Sequence, residues 1–81
     1  MQVEYKISVR RDVKKIDKPE ARRIRDSLEL KLQQDPSAGE PLKGDLAGLF
    51  KLRFGDYRVI YAKTKEGILV LRIRHRKNAY R

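Results

Sequence analysis

The chain has no cysteine and no tryptophan, and only one histidine and one methionine among its 81 residues. Without cysteine there are no disulfides and no thiolate metal sites. A cysteine-free chain also fits a cytoplasmic setting. One histidine does not make an imidazole metal centre. There is no glycine-rich loop of the P-loop or dinucleotide kind, and Ser8, Ser27 and Ser37 stand in no nucleophile context. The acidic residues form no cluster of the sort that holds magnesium in metal-dependent nucleases. Neither a metal nor a cofactor is therefore expected. No apolar run approaches membrane-spanning length. The opening segment MQVEYKISVRR alternates apolar and polar residues, where a signal peptide would carry an apolar run.

Charge is abundant, and it is segregated. Lys and Arg number 21 against 11 Asp and Glu, a formal net charge of +10. Residues 1–50 carry 11 basic and 9 acidic side chains, whereas residues 51–81 carry 10 basic side chains against Asp56 and Glu66 alone. Solubility does not require such segregation. A polyanion-binding face does, because phosphate neutralisation supplies most of the affinity for nucleic acid. The plain alternative is a solvated basic surface.

The spacing of apolar residues predicts one α+β domain over residues 1–81, in the order β-α-α-β-β-β. Val3, Tyr5, Ile7 and Val9 alternate as a strand does. Val13 and Ile16 suggest a short helix from Arg10 to Asp17. Ala21, Ile24, Leu28 and Leu32 recur at helical spacing, predicting an amphipathic helix over Lys18–Gln34, with Pro19 in its first turn and Asp35-Pro36 beyond its end. Residues 35–48, with two prolines and three glycines, read as a loop. The period then changes to two. Phe50, Leu52 and Phe54 alternate with Lys51 and Arg53, Gly55-Asp56 is a tight turn, and Tyr57, Val59 and Tyr61 alternate with Arg58. A turn at Thr64–Gly67 leads to a last strand with Leu69, Leu71 and Ile73 on one face and Arg72 and Arg74 on the other. These strands form an antiparallel meander in a small sheet, with both helices on one face. The partner of the first strand is left open.

Strand parity gathers cations on the opposite face: Lys51 and Arg53, then Arg58, then Arg72 and Arg74, with Arg76 and Lys77 extending the line and Tyr80 just beyond. A basic sheet ending in an aromatic can hold a single RNA strand, phosphates on guanidiniums and a base on the ring. Such a face also suits metal-free RNA cleavage, in which the 2′-hydroxyl attacks the adjacent phosphorus and the 5′-oxygen leaves. That reaction needs a base, an acid and cations over the phosphorane. Crowded cations can lower a lysine pKa into a useful range, while arginine stays protonated and serves charge stabilisation. His75 is chemically suited to acid–base work near neutral pH, and equally to ending the strand. Lys51 and Arg53 can also be read as solvated strand residues, and Arg58 as a surface partner of Asp56 or Glu66.

Three motifs resemble the RelE/ParE toxin superfamily: Leu42-Lys43-Gly44 in the loop; Phe54-Gly55-Asp56-Tyr57-Arg58 with Tyr61; and His75-Arg76 with Tyr80. The helical half fits in length and order, so the resemblance covers the whole chain. It implies a toxin of a toxin–antitoxin system with a RelE-like fold, a metal-independent endoribonuclease that cleaves mRNA in the ribosomal A site and so stops translation. It further implies a cognate antitoxin, expected to be acidic. Within that resemblance Lys51 and Arg53 match strand lysines proposed for base catalysis and substrate binding, with arginine standing at 53. Arg58 matches the arginine that stabilises transition-state charge, Arg76 a general acid or phosphate ligand, and Tyr80 the tyrosine that stacks on substrate. Arg72, Arg74 and Lys77 are expected to contact RNA. Two other functions fit the same pattern: a non-enzymatic ParE-like inhibitor of DNA gyrase, and a plain RNA-binding module.

The lack of metal-binding side chains sets a first prediction. RNA cleavage is expected to persist in EDTA when ribosomes are kept intact, with products ending in a 2′,3′-cyclic phosphate. Products ending in a 3′-hydroxyl, identified by end-labelling, would indicate metal-assisted hydrolysis instead.

Overall fold

A computed structural model describes residues 2–78. The elements run β1 (Gln2–Tyr5), α1 (Ile7–Val13), α2 (Lys18–Gln34), β2 (Glu40–Pro41), β3 (Leu49–Phe54), β4 (Tyr57–Lys63) and β5 (Gly67–His75), with single 3-10 turns at Gly44–Leu46 and Arg76–Asn78. The sheet order is β1-β5-β4-β3-β2. β1 lies parallel to β5, and the remaining pairs are antiparallel. This is the expected α+β architecture with its meander. The two-residue β2 is a fifth strand found within the segment read as a loop. None of the described helices is long and apolar enough to cross a membrane.

The helix α2 has the limits that its periodicity predicts. Ile24, Leu28 and Leu32 are buried along one stripe, while Arg22, Arg23 and Arg25 face solvent. At the start of the chain the alternation misleads. The strand ends at Tyr5 and the chain is already helical at Ile7, which is 70% exposed. The reason lies in spacing: Val9, Val13 and Ile16 recur at three and four, so a helix collects all three on one side, whereas a strand continuing to Val9 would not. Val9 and Ile16 are buried and Val13 packs against the same core.

The core sits between the helices and one face of the sheet, where Val59, Tyr61, Ile68, Val70 and Ile73 meet Val9, Ile16, Ile24, Leu28 and Leu32. In β5 the buried set is Ile68, Val70 and Ile73, where parity alone predicts Leu69, Leu71 and Ile73. An irregularity in the ladder is responsible. Ile60 is opposite Arg72 while Tyr61 is opposite Val70, so Leu71 is an extra residue without a partner. A bulge of this kind reverses which face the following residues take. Leu69 and Leu71 are half-buried and lie outside the core.

The loop before β3 is anchored by Tyr61. Its ring is fully buried and stacks on Phe50 at 5.5 Å, and its hydroxyl accepts the Gly39 N–H at 2.9 Å. A Cβ at position 39 would come within 2.1 Å of that hydroxyl oxygen. Gly39→Ala is therefore expected to lower the unfolding free energy by about 2 kcal/mol through overpacking, measured by urea denaturation. Gly44→Ala faces open space but has φ +67°, so its cost is conformational, about 1 kcal/mol.

Candidate functional site

The meander builds the outer, helix-free face of the sheet as a grid. Arg53 is opposite Arg58, which is opposite Arg74, so three neighbouring strands each supply one arginine to a single cross-strand row. The next row is Lys51, Ile60 and Arg72, and the one after it Leu49, Ala62 and Leu69. Like charges placed directly opposite one another weaken a sheet. Stability does not ask for this arrangement, and an anionic ligand would relieve it.

Each member is held by a local device. The Gly55-Asp56 hairpin has Gly55 at φ +60°, which suits a two-residue turn beginning with glycine and sets Arg53 against Arg58. The Asp56 carbonyl accepts the Arg76 N–H at 2.7 Å, so the same turn places Arg76 beside the arginine row. Lys51 is half-buried and forms an ion pair with Glu40 of β2 at 3.7 Å. Glu40, Lys51, Leu52, Arg53 and Arg58 line an open cavity of about 320 Å³. Glu40 escapes a reading based on strand parity because it stands in the loop composition before Pro41. It brings a carboxylate, a proton acceptor, next to the lysine.

Arg72 has a different task. Its guanidinium donates two hydrogen bonds to the carboxylate of Asp12 on α1, both at 2.9 Å, and the Ile73 N–H donates to the same carboxylate at 3.0 Å. Asp12 is 6% exposed and Arg72 retains some contact with solvent. Burial by itself would raise the pKa of Asp12, but the bonds from Arg72 and Ile73 outweigh it and hold the carboxyl below its ordinary value. The cationic lock to α1 thus orders the end of β5 that carries Arg74. A single buried Asp at the penultimate position of a short helix is a weak signal in sequence, and the pattern of apolar residues does not reveal it.

His75 stands opposite Tyr57, the two rings meeting edge-on at 5.3 Å, and so belongs to the helix-bearing face, apart from Lys51, Arg53 and Arg58. Its Nδ1 accepts the Lys77 N–H at 3.3 Å. Arg76 and Lys77 are exposed. Tyr80 lies outside the described residues. Among the described residues, no group of three or more His, Cys, Asp or Glu side chains is assembled to hold a metal ion. The face as built can bind a polyanion and place several fixed positive charges around a phosphate.

The family model for the ParE toxin of type II toxin–antitoxin systems, parDE, matches residues 3–80. The chain belongs to the ParE toxin family. Within the RelE/ParE superfamily it is 40% identical over 53 residues to Toxin RelG of Mycobacterium tuberculosis, a match spanning 62% of this chain and 61% of that relative's length. Among solved structures it resembles a chain of the toxin–antitoxin complex RelBE2 from Mycobacterium tuberculosis. That match has a TM-score of 0.82 and 30% identity, over 91% of this chain and 95% of that one. A chain of the RelB–RelE complex from Methanococcus jannaschii gives a TM-score of 0.73 at 22% identity, covering 95% and 94% of the two chains. YafQ from E. coli gives 0.71 at 17%, covering 99% and 98%. These last two likenesses speak for the fold. The ParE-family fold is thus the one that the motifs implied.

The Asp12 lock yields a prediction on stability. Asp12→Asn is expected to lower the unfolding free energy by about 1–3 kcal/mol at neutral pH, the scale of hydrogen bonds to a charged group. Because the folded-state pKa of Asp12 is depressed, this stabilisation is fully present above its unfolded value, about 3.9, and is lost as pH falls through the lower folded value. Urea midpoints of the parent and the variant should differ by a constant amount above that value and converge in more acidic solution.

Proposed function

We propose that this chain is the toxin of a type II toxin–antitoxin system and a metal-independent endoribonuclease that cleaves mRNA on the ribosome. The observation that carries this reading is the row Arg53–Arg58–Arg74 with Lys51 in the adjacent row. Phosphates of a single strand lie along the arginines. The 2′-hydroxyl attacks the neighbouring phosphorus with Lys51 or Glu40 as proton acceptor, Arg58 stabilises the phosphorane, and Arg76 acts on the leaving-group side. Tyr80 is assigned the stacking role that the resemblance implies. Lys77 and Arg74 extend the phosphate track, and Arg72 supports it through Asp12.

The partner proposed is an acidic antitoxin. Two of the solved relatives are toxin–antitoxin complexes, and the excess of basic residues over 51–81 calls for a partner of opposite charge. Burial of apolar surface would supply much of that affinity, and charge would speed association and select the partner. A second reading, which the ParE-like resemblance implies, is inhibition of DNA gyrase. A gyrase binder has no need of an aligned arginine row, which is why the ribonuclease reading stands first.

Primer extension on a translated mRNA, with and without induction of the protein, separates the two. New ends within translated codons, absent from untranslated RNA, support cleavage on the ribosome. Loss of gyrase supercoiling with intact mRNA supports the second reading. Arg58→Ala and Arg76→Ala are each expected to reduce cleavage by about 10²-fold, the scale of one lost transition-state contact, with circular dichroism verifying the fold. Full activity in both variants would contradict the site.

A further inference from the structure

A second cavity, of about 380 Å³, opens on the same outer face next to the arginine row. Its apolar lining comes from Leu46 in the loop, Leu49 on β3, Ile60 on β4 and Leu71 on β5, and Arg58 and Arg74 line it as well. Arg58 is shared with the cavity that holds Lys51 and Arg53. Arg58 thus borders both cavities. The apolar lining depends on the bulge, which takes Leu71 out of the core and sets it beside Arg72 and Arg74. Leu46 is 52% exposed.

We propose that this cavity is a nucleobase subsite, holding the base of a nucleotide whose phosphate rests on Arg58. The proposal builds on the ribonuclease reading above and adds to it the place of a base. A nucleotide joins a flat, weakly polar ring to an anion through a short sugar link, and the lining offers that pair of surfaces side by side. Apolar side chains hold an unstacked base by contact with its faces. Lys6, Arg58 and Arg74 can meet the sugar–phosphate, and the other polar groups of the lining offer little selection by hydrogen bonding. Ser8, which also lines the cavity, already donates to the Leu71 carbonyl at 2.7 Å, and Arg72 is bound to Asp12. The subsite should accept any base, as stacking platforms do. An acidic protein segment with an apolar side chain is the competing occupant. The Arg58 that it shares with the cavity of Lys51 and Arg53 favours RNA.

The test is an NMR titration, read at backbone amides and at labelled methyls, with a short single-stranded RNA, 2′-O-methylated to prevent cleavage, and with versions made abasic at one position at a time. Ring-current shifts at the Leu46, Ile60 and Leu71 methyls that vanish for one abasic position support the subsite. So does a loss of about 5- to 10-fold in affinity for the base-bearing RNA on Leu46→Ser, with the abasic RNA unaffected. Leu46 is exposed, so this variant is expected to fold. Shifts confined to Lys51, Arg53 and Arg58, and identical for abasic RNA, would overturn the subsite while leaving RNA binding intact. No shift on the outer face with any RNA would overturn the ribonuclease reading and the subsite together. Methyls that respond only to an acidic protein partner would make the cavity a protein-docking site and likewise overturn the proposal.

Discussion

A single extra residue in the last strand decides which side chains reach the outer face of the sheet. Ile68 and Val70 enter the core, and strict alternation would send Arg72 and Arg74 in after them. Leu71 interrupts the ladder between β4 and β5, so Ile73 is the next residue buried and both arginines emerge on the outer face. The bulge survives because its edge is covered. β1 pairs with β5 only as far as Val70. Beyond that point Lys6 N–H, the Ser8 hydroxyl and the Asp12 carboxylate bond Val70, Leu71 and Ile73 in turn. A short helix thus supplies by side chains what a neighbouring strand would supply by backbone.

The arginines fall into two groups. Arg72 neutralises a buried carboxylate and fastens α1 to the sheet. Arg53, Arg58 and Arg74 lie in register across three strands, where like charges oppose folding. The helix-bearing face pays for this with a continuous core, and with Tyr61 tying the loop ahead of β3 to the centre of the sheet. Tyr5 adds a further tie by donating to Glu29 of α2, and burial raises its hydroxyl pKa above the usual tyrosine range.

Much of this was legible in the residues. The limits of α2 follow from its apolar stripe and from Pro19 and Pro36. The Phe50–Phe54 alternation places Lys51 and Arg53 on the outer face, and Gly55 fixes the hairpin that opposes Arg53 to Arg58. What escaped has physical causes. Four residues of alternation fit a strand or the start of a helix equally well, so the sequence alone starts α1 too late. A bulge leaves no mark in parity, so parity points to Leu69 and Leu71 as core where Ile68 and Val70 are buried. Long-range partners such as Asp12 with Arg72, 60 residues apart, and Glu40 with Lys51 depend on topology. The pairing of β1 with β5 does too. The cation set itself was readable because it depends only on local strand phase near the chain's end.

The central claim is that the arginine row, rather than the overall charge, binds RNA. The salt dependence of affinity for a single-stranded RNA tests it directly. Removing one phosphate contact lowers the slope of log K against log salt by about 0.7 for single strands. Arg53→Ala, Arg58→Ala and Arg74→Ala should each reduce the slope by about that amount, while Arg22→Ala and Arg23→Ala, on the exposed face of α2, should leave it unchanged. Equal reductions from both sets would show that net charge alone attracts the RNA and would contradict the assignment of the outer sheet face.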